Sequence, residues 1–249
     1  MKKLVVFDLD GTLAKSKSII TKAMVAMLSS LLDNARVAII SGADWPQFKK
    51  QVLAKMGEPK QLKNLSILPT CGTKFYSYKK SWTKIYAENF TKKQSEKIKT
   101  ELKKAIDQSN IEFGKTWGEQ IEDRGSQITF SALGQKAPLS AKKDWDPDFK
   151  KRKKIKAKLD KKLKDFDVNL GGSTSIDITK KGADKAYGIE KLKETFKLKT
   201  SEIMFIGDAL FPGGNDHPAK KTGVDCIQVR NPDETKTIIE AIVACLSSK

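Results

Sequence analysis

Four apolar residues, Leu4 to Phe7, run directly into Asp8-Leu9-Asp10-Gly11-Thr12. A short, partly β-branched run of this kind reads as a buried strand, and the Asp-Gly step as a tight turn at its end. Thr21 can cap a helix, and Met24, Met27, Leu28, Leu31 and Leu32 then share one helical face. Val37-Ala38-Ile39-Ile40 follows as a second buried strand, closed by Ser41-Gly42. Strand, helix and strand in so short a stretch form a parallel crossover unit, so the spacing predicts an α/β fold with a doubly wound sheet. The same texture returns in Ile203-Met204-Phe205-Ile206 before Gly207-Asp208, in Cys226-Ile227-Gln228-Val229, and in an amphipathic helix over 234–246.

The middle of the chain has a different texture. Residues 91–106 and 149–164 carry helical charge patterns, whereas 127–133 and 173–179 alternate as half-exposed antiparallel strands do. Helices on one face of a small antiparallel sheet make an α+β unit. The predicted organisation is a discontinuous core, 1–80 and 184–249, interrupted by an inserted domain at 81–183. Trp82, Trp117 and Trp145 fall in that insert and read as core or edge aromatics.

Composition narrows the classes of function. The 249 residues carry 48 basic and 30 acidic side chains, a formal charge of +18, which attracts any polyanion. Only four of those basic residues are arginines (Arg36, Arg124, Arg152 and Arg230), and arginine's planar fork is what sequence-specific nucleic-acid readers lean on. The lysines cluster at 92–104 and 142–164, at spacings that suit the wet faces of helices. A basic nucleic-acid-binding protein is therefore the remote alternative, and no nucleic-acid partner is expected. No run of 18 apolar residues appears, so no membrane span is expected, and two aspartates interrupt the first apolar stretch before it could act as an export signal. Cys71, Cys226 and Cys245 have neither metal-ligand spacing nor a disulfide framework, which suits a reducing cytoplasm.

The chemistry-bearing residues sit at the carboxyl ends of predicted core strands, where open α/β sheets place their ligands. Asp8 and Asp10 can point into one crevice and divide into a nucleophile and a proton donor. Ser41-Gly42 offers a hydroxyl and backbone N–H groups to phosphate oxygens. Lys185 offers a point positive charge to the same anion. Gly207-Asp208 and the following Pro212-Gly213-Gly214-Asn215-Asp216 supply carboxylates that can join Asp8 around Mg2+, a hard cation that prefers oxygen ligands. His217, the single histidine, reads as part of that loop rather than as a general base.

In this order along one chain, these residues resemble the haloacid dehalogenase (HAD) superfamily of phosphotransferases, whose opening motif is DxDxT. Nearly the whole chain is similar to the phosphomannomutase branch with its α/β cap. The stretches that carry the resemblance are FDLDGTL, RGSQITFSALGQ (124–135), GGSTSIDI (171–178), GADK ending at Lys185, and GDALFPGGNDH (207–217). It implies a Rossmann-like catalytic core with an inserted cap that selects a sugar phosphate, and a cap-mediated homodimer. It implies that Asp8 becomes an aspartyl phosphate and that Asp10 protonates the leaving oxygen and then activates the acceptor. Mg2+ is implied on the Asp8 side chain, the Asp10 carbonyl and Asp208, with Asn215 and Asp216 nearby. Ser41 and Lys185 would grip the phosphoryl group, with Thr12 and Gly42 beside them. Arg124, Ser175 and Asp177 match positions that contact the distal phosphate and sugar hydroxyls, and Lys17 stands where the family carries a substrate-binding arginine.

Two departures bear on the activity. Further phosphate-clamping arginines of the family cap are replaced by Gln135, which is neutral, and Lys142, which cannot grip a phosphate with two parallel bonds. A mutase must hold a bisphosphorylated sugar while it turns round, whereas a phosphatase needs one orientation and admits water. On Gln135 alone, the sequence favours a Mg2+-dependent sugar-phosphate phosphatase, with a phosphomannomutase interconverting mannose 1-phosphate and mannose 6-phosphate as the alternative.

Overall fold

The computed structural model describes residues 1–57 and 59–247. Its strands are β1 (Leu4–Phe7), β2 (Arg36–Ile40), β3 (Leu65–Leu68), β4 (Lys74–Tyr78), β5 (Trp82–Ala87), β6 (Ile121–Asp123), β7 (Gln127–Ser131), β8 (Phe166–Gly171), β9 (Ser175–Lys180), β10 (Ile203–Gly207) and β11 (Asp225–Gln228). They form two sheets in two compact units, Met1–Ala87 with Asp184–Lys249, and Glu88–Ala183.

The first unit holds a seven-stranded sheet in the order β11-β10-β1-β2-β3-β4-β5. From β11 to β3 every pairing is parallel, and β4 and β5 add antiparallel strands at one edge. The sheet is therefore mixed rather than wholly parallel. Alternate side chains of the central strands enter different cores, as the period of two requires. Val5, Phe7, Val37 and Ile39 pack with the helices Lys22–Asn34 and Pro232–Ser247, while Leu4, Val6, Ala38 and Ile40 pack with the helix Lys185–Phe196. That division is the doubly wound arrangement expected from the sequence. Thr21 caps its helix by accepting a hydrogen bond from the Met24 N–H at 3.2 Å.

Residues 82–87, assigned from sequence to the start of the insert, are instead the edge strand of this sheet, and the division falls at Glu88. Trp82 accordingly belongs to the first unit, where it meets Trp45 edge to face at 5.7 Å. Neither β4 nor β5 alternates cleanly in sequence: β5 carries a mixed run, Trp-Thr-Lys-Ile-Tyr-Ala, because an edge strand is half wet.

The second unit is a four-stranded antiparallel sheet, β6-β7-β9-β8. Ile128, Phe130, Ile176 and Ile178 point to one face and bury Ile98 and Leu102 of the helix Lys92–Asp107, with Ile155 and Leu159 of the helix Lys150–Lys162. The intervening residues Gln127, Thr129, Ser131, Ser175, Asp177 and Thr179 form the opposite, polar face. Among the described residues no helix is long and apolar enough to cross a membrane.

Leu28 is fully buried between its helix and the central sheet. Its replacement by alanine is expected to cost about 2–5 kcal/mol of stability, read from urea unfolding. A loss below about 1 kcal/mol would contradict this packing.

Candidate functional site

In the first unit, Asp8, Ser41 and Asp208 follow the neighbouring parallel strands β1, β2 and β10, whose register pairs Phe7 with both Ile39 and Ile206. Parallel pairing in this register brings all three residues to one carboxyl edge of the sheet. The Asp8 N–H donates to the Ile206 carbonyl at 3.0 Å, extending the ladder by one residue and fixing where the side chain starts.

Lys185 reaches the same edge from the first turn of its helix, where Asp184 acts as N-cap by accepting from the Tyr187 N–H at 3.1 Å. Its buried ammonium donates to Asp8 Oδ1 at 2.5 Å and to Asp216 Oδ1. The other oxygen of Asp216 accepts from the Ala209 N–H at 2.9 Å, so this buried carboxylate closes its own loop onto the end of β10. Oxygens of Asp8, Asp208 and Asp216 lie within 4.8 Å of one another.

The charges in this cluster do not balance. Three carboxylates face one ammonium in a largely dry place, two positive charges short of balance when all are ionised. Burial pushes the Asp8 carboxyl well above its ordinary range, with Asp216 and Asp208 adding to the effect against the pull of Lys185. Burial, then the Asp216 charge, pushes Asp208 up to about 6. Burial opposes the Lys185 ammonium, but Asp216 and Asp8 outweigh it and raise its pKa above the usual lysine value. Such pushed-up carboxyls mark a shortage of positive charge, which a divalent cation would supply.

Two further observations fit that cation. Asp8 Oδ2 is buried and has no hydrogen-bond partner among the described residues. Gly11 has φ +98°, and a Cβ there would stand 2.3 Å from Asp208 Oδ2, so only glycine lets the turn pass so close to the carboxylate. The donors are all oxygens, as a hard divalent cation requires. Asp8, Asp208 and Asp216 are the residues that would hold it.

Asp10 keeps its carboxyl out of this cluster: Oδ1 accepts from the Lys17 N–H at 2.5 Å and from Gln51 Nε2 at 3.3 Å. Lys17, expected to offer its side chain, is exposed with φ 55°, and what it gives Asp10 is its backbone N–H. Gln51 was not legible as a site residue, because its contact with Asp10 spans 41 positions and no local pattern announces it. Ser41 Oγ accepts from the Ala43 N–H at 3.2 Å, leaving the hydroxyl proton to be donated elsewhere; Gly42 lies between them. Thr12 is buried, its carbonyl accepting from Thr235 Oγ1 at 2.8 Å, which ties the acidic turn to the last helix. Asn215 is exposed in the turn before Asp216, and His217 begins a four-residue helix.

In the second unit, the polar face of the sheet gathers part of the expected substrate set. Asp177 Oδ1 accepts from Thr129 Oγ1 at 2.7 Å and Gln127 Nε2 at 3.0 Å. Gln135 Nε2 donates to Ser131 Oγ at 2.9 Å, and that hydroxyl lies 3.0 Å from Ser175 Oγ. Arg124 stands beyond the opposite end of β7, with Nε and Nη2 at 2.9 and 2.6 Å from Glu122 Oε2. Lys142 is buried in the short helix Leu139–Trp145.

Arg152 was not singled out from sequence. It is fully buried, paired with Asp146 at 2.7 Å, and donates to the carbonyls of Gly171 and Gly172 at 3.2 and 2.8 Å, bracing the turn before Ser175. A single arginine inside a lysine tract was the available signal, since a guanidinium serves several acceptors at once and an ammonium is more strongly hydrated.

A family model described as eukaryotic phosphomannomutase matches residues 24–245. The phosphomannomutase of Encephalitozoon cuniculi is 29% identical over 245 residues, covering 94% of this chain and 91% of that protein. The phosphomannomutase of Saccharomyces cerevisiae is 26% identical over 255 residues, covering 95% and 92% respectively. Among solved structures, C-terminally truncated Plasmodium falciparum IMP-nucleotidase superposes with a TM-score of 0.74 at 18% identity over 98% of this chain and 72% of that one, a likeness of fold.

The charge imbalance makes a direct prediction about folding. Magnesium ion at about a hundred times its dissociation constant should stabilise the protein by about 2.7 kcal/mol, visible as a rise in Tm. Asp208→Asn should lose most of that rise. An equal rise in both proteins would contradict a cation held by this cluster.

Proposed function

The chain belongs to the eukaryotic phosphomannomutase family of HAD enzymes, and from that premise we propose that it interconverts mannose 1-phosphate and mannose 6-phosphate through a phosphorylated Asp8, with Mg2+ as its cation. The observation that carries the chemistry is the buried Asp8 carboxylate with one oxygen on Lys185 and the other unpartnered, at an edge short of two positive charges. Held by Asp8, Asp208 and Asp216, Mg2+ would supply charge neutralisation at the phosphoryl oxygens.

This chain's own groups account for the remaining steps. Asp8 attacks one phosphorus of the hexose bisphosphate in line, the bond from that phosphorus to the sugar oxygen breaks, and an aspartyl phosphate and a hexose monophosphate form. Asp10 gives the departing oxygen its proton, and the Lys17 N–H and Gln51 keep that carboxyl from swinging toward the acidic cluster. In the return step Asp10 takes the proton of the attacking sugar hydroxyl, and the phosphoryl group moves from Asp8 to that oxygen. An ammonium has three donors, of which Lys185 spends two on Asp8 and Asp216, so one is left for a phosphoryl oxygen. The Ser41 hydroxyl proton serves another. The insert's polar face, taken by itself, offers Asp177 and Ser175 as groups suited to sugar hydroxyls, and Arg124 and Lys142 are its cations suited to a phosphate.

The choice of mutase reverses the preference drawn from Gln135. That preference rested on one neutral side chain, whereas the family match and relatives covered over about nine-tenths of their length favour the mutase. Gln135 is also built into the polar face through Ser131, which gives a neutral residue a hydrogen-bonding role there.

Given mannose 1-phosphate, Mg2+ and a catalytic amount of a hexose bisphosphate, the protein should form mannose 6-phosphate and release little inorganic phosphate. Release of phosphate at the same rate without the bisphosphate would overturn the mutase in favour of a phosphatase. Asp8→Asn should lower kcat by at least about a thousandfold, because it removes the nucleophile itself. Retained turnover in that variant would contradict the mechanism.

A further inference from the structure

One strained segment lies against the phosphoryl-gripping loop. Thr70, Cys71 and Gly72 have φ of 52°, 58° and 88°, three successive residues in the left-handed region. A β-branched threonine there is a genuine outlier, and two such non-glycine residues in a row persist only when their surroundings over-determine them. The surroundings do so here. Thr73 Oγ1 lies 2.7 Å from both the carbonyl and the hydroxyl oxygen of Thr70, and Tyr86 Oη donates to the Gly72 carbonyl at 2.7 Å.

The strain has a geometric product. In an extended strand successive N–H groups point to opposite sides, whereas a left-handed residue lets neighbours face the same way. The Thr70 N–H donates to the Ala43 carbonyl and the Cys71 N–H to the Ser41 carbonyl, each at 2.9 Å. The two carbonyls that flank Gly42 are thereby tied from one side, and the orientation of the Ser41-Gly42-Ala43 backbone is set. Gly72 also touches the Lys185 helix: a Cβ on Gly72 would stand 2.6 Å from the Gly188 Cα.

We propose that the Thr70–Gly72 turn is the positioning element of the phosphoryl grip, aiming the Ser41 hydroxyl and the loop's N–H groups, with Thr73 as the positioning residue that clamps it. Thr73 is buried, and its hydroxyl acts through Thr70. The proposal rests on the reading that the Ser41 loop holds a phosphoryl group, and the experiment separates the two.

The probe is inorganic phosphate titrated calorimetrically into the Mg2+-loaded protein, well below its Tm. Thr73→Val keeps the shape and removes the hydroxyl, and it should weaken phosphate binding about tenfold while leaving Mg2+ binding unchanged. Thr73→Ser keeps the hydroxyl and should bind phosphate within about twofold of the original protein. Ser41→Ala reports on the underlying reading: if phosphate affinity is unmoved there, the Ser41 loop is not a phosphoryl grip. If Ser41→Ala weakens binding but Thr73→Val does not, or if Val and Ser lose affinity equally, the turn has no positioning role. Should Thr73→Val fail to fold, Tyr86→Phe loosens the same turn from the Gly72 side. It should weaken phosphate about threefold, and an unchanged affinity there overturns the proposal.

Discussion

A single buried ammonium holds the catalytic edge together. Lys185 is shared by Asp8, from the first strand, and Asp216, from the loop after the tenth, two elements far apart in sequence that carry charges of the same sign. Without it, three carboxylates would face one another with no cation of the chain among them, and breaking a buried pair of this kind costs about 3–5 kcal/mol. With it, the cluster is still two charges short. That deficit, beside an Asp8 oxygen that Lys185 leaves open, is consistent with a site for a divalent ion. The site is stable enough to fold and unfinished enough to bind.

The sheet makes this arrangement possible at little entropic cost. β10, β1 and β2 are adjacent and in register, so Asp208, Asp8 and Ser41 emerge side by side from strands whose positions are fixed by burial on both faces. Residues on such ends need few further restraints, and those present are specific: Asp184 caps the helix that delivers Lys185, and Ala209 seats Asp216. The insert uses a different device. Its apolar face is spent on two helices, and its polar face becomes a grid in which Thr129 and Gln127 orient Asp177 and Ser131 links Gln135 to Ser175.

The chain announces the strand ends and conceals their supports. Asp8, Ser41, Lys185 and Asp208 were legible because each sits next to a run of buried residues or a glycine turn, signals carried within a few positions of sequence. Gln51, Thr73 and Arg152 were not, because their roles arise from contacts across the fold or within a turn whose dihedral angles no residue pattern encodes. Lys17 shows the same limit in another form: besides the side chain read from sequence, its backbone N–H serves Asp10. The antiparallel strand β5 escaped for a physical reason too, since a half-wet edge keeps no strict alternation. Gln135, read from sequence as a lost charge, sits on the hydroxyl pair of Ser131 and Ser175, a setting that only the fold reveals.

The phosphoryl group must rest on one carboxylate between the two half-reactions, and that carboxylate can be trapped. Borohydride added during turnover reduces an aspartyl phosphate to homoserine, and mass spectrometry of the amino-terminal peptide locates the change. The prediction is conversion at Asp8 and at none of Asp10, Asp208 and Asp216. Conversion at Asp10, Asp208 or Asp216 instead, or turnover with no reducible intermediate, would contradict it.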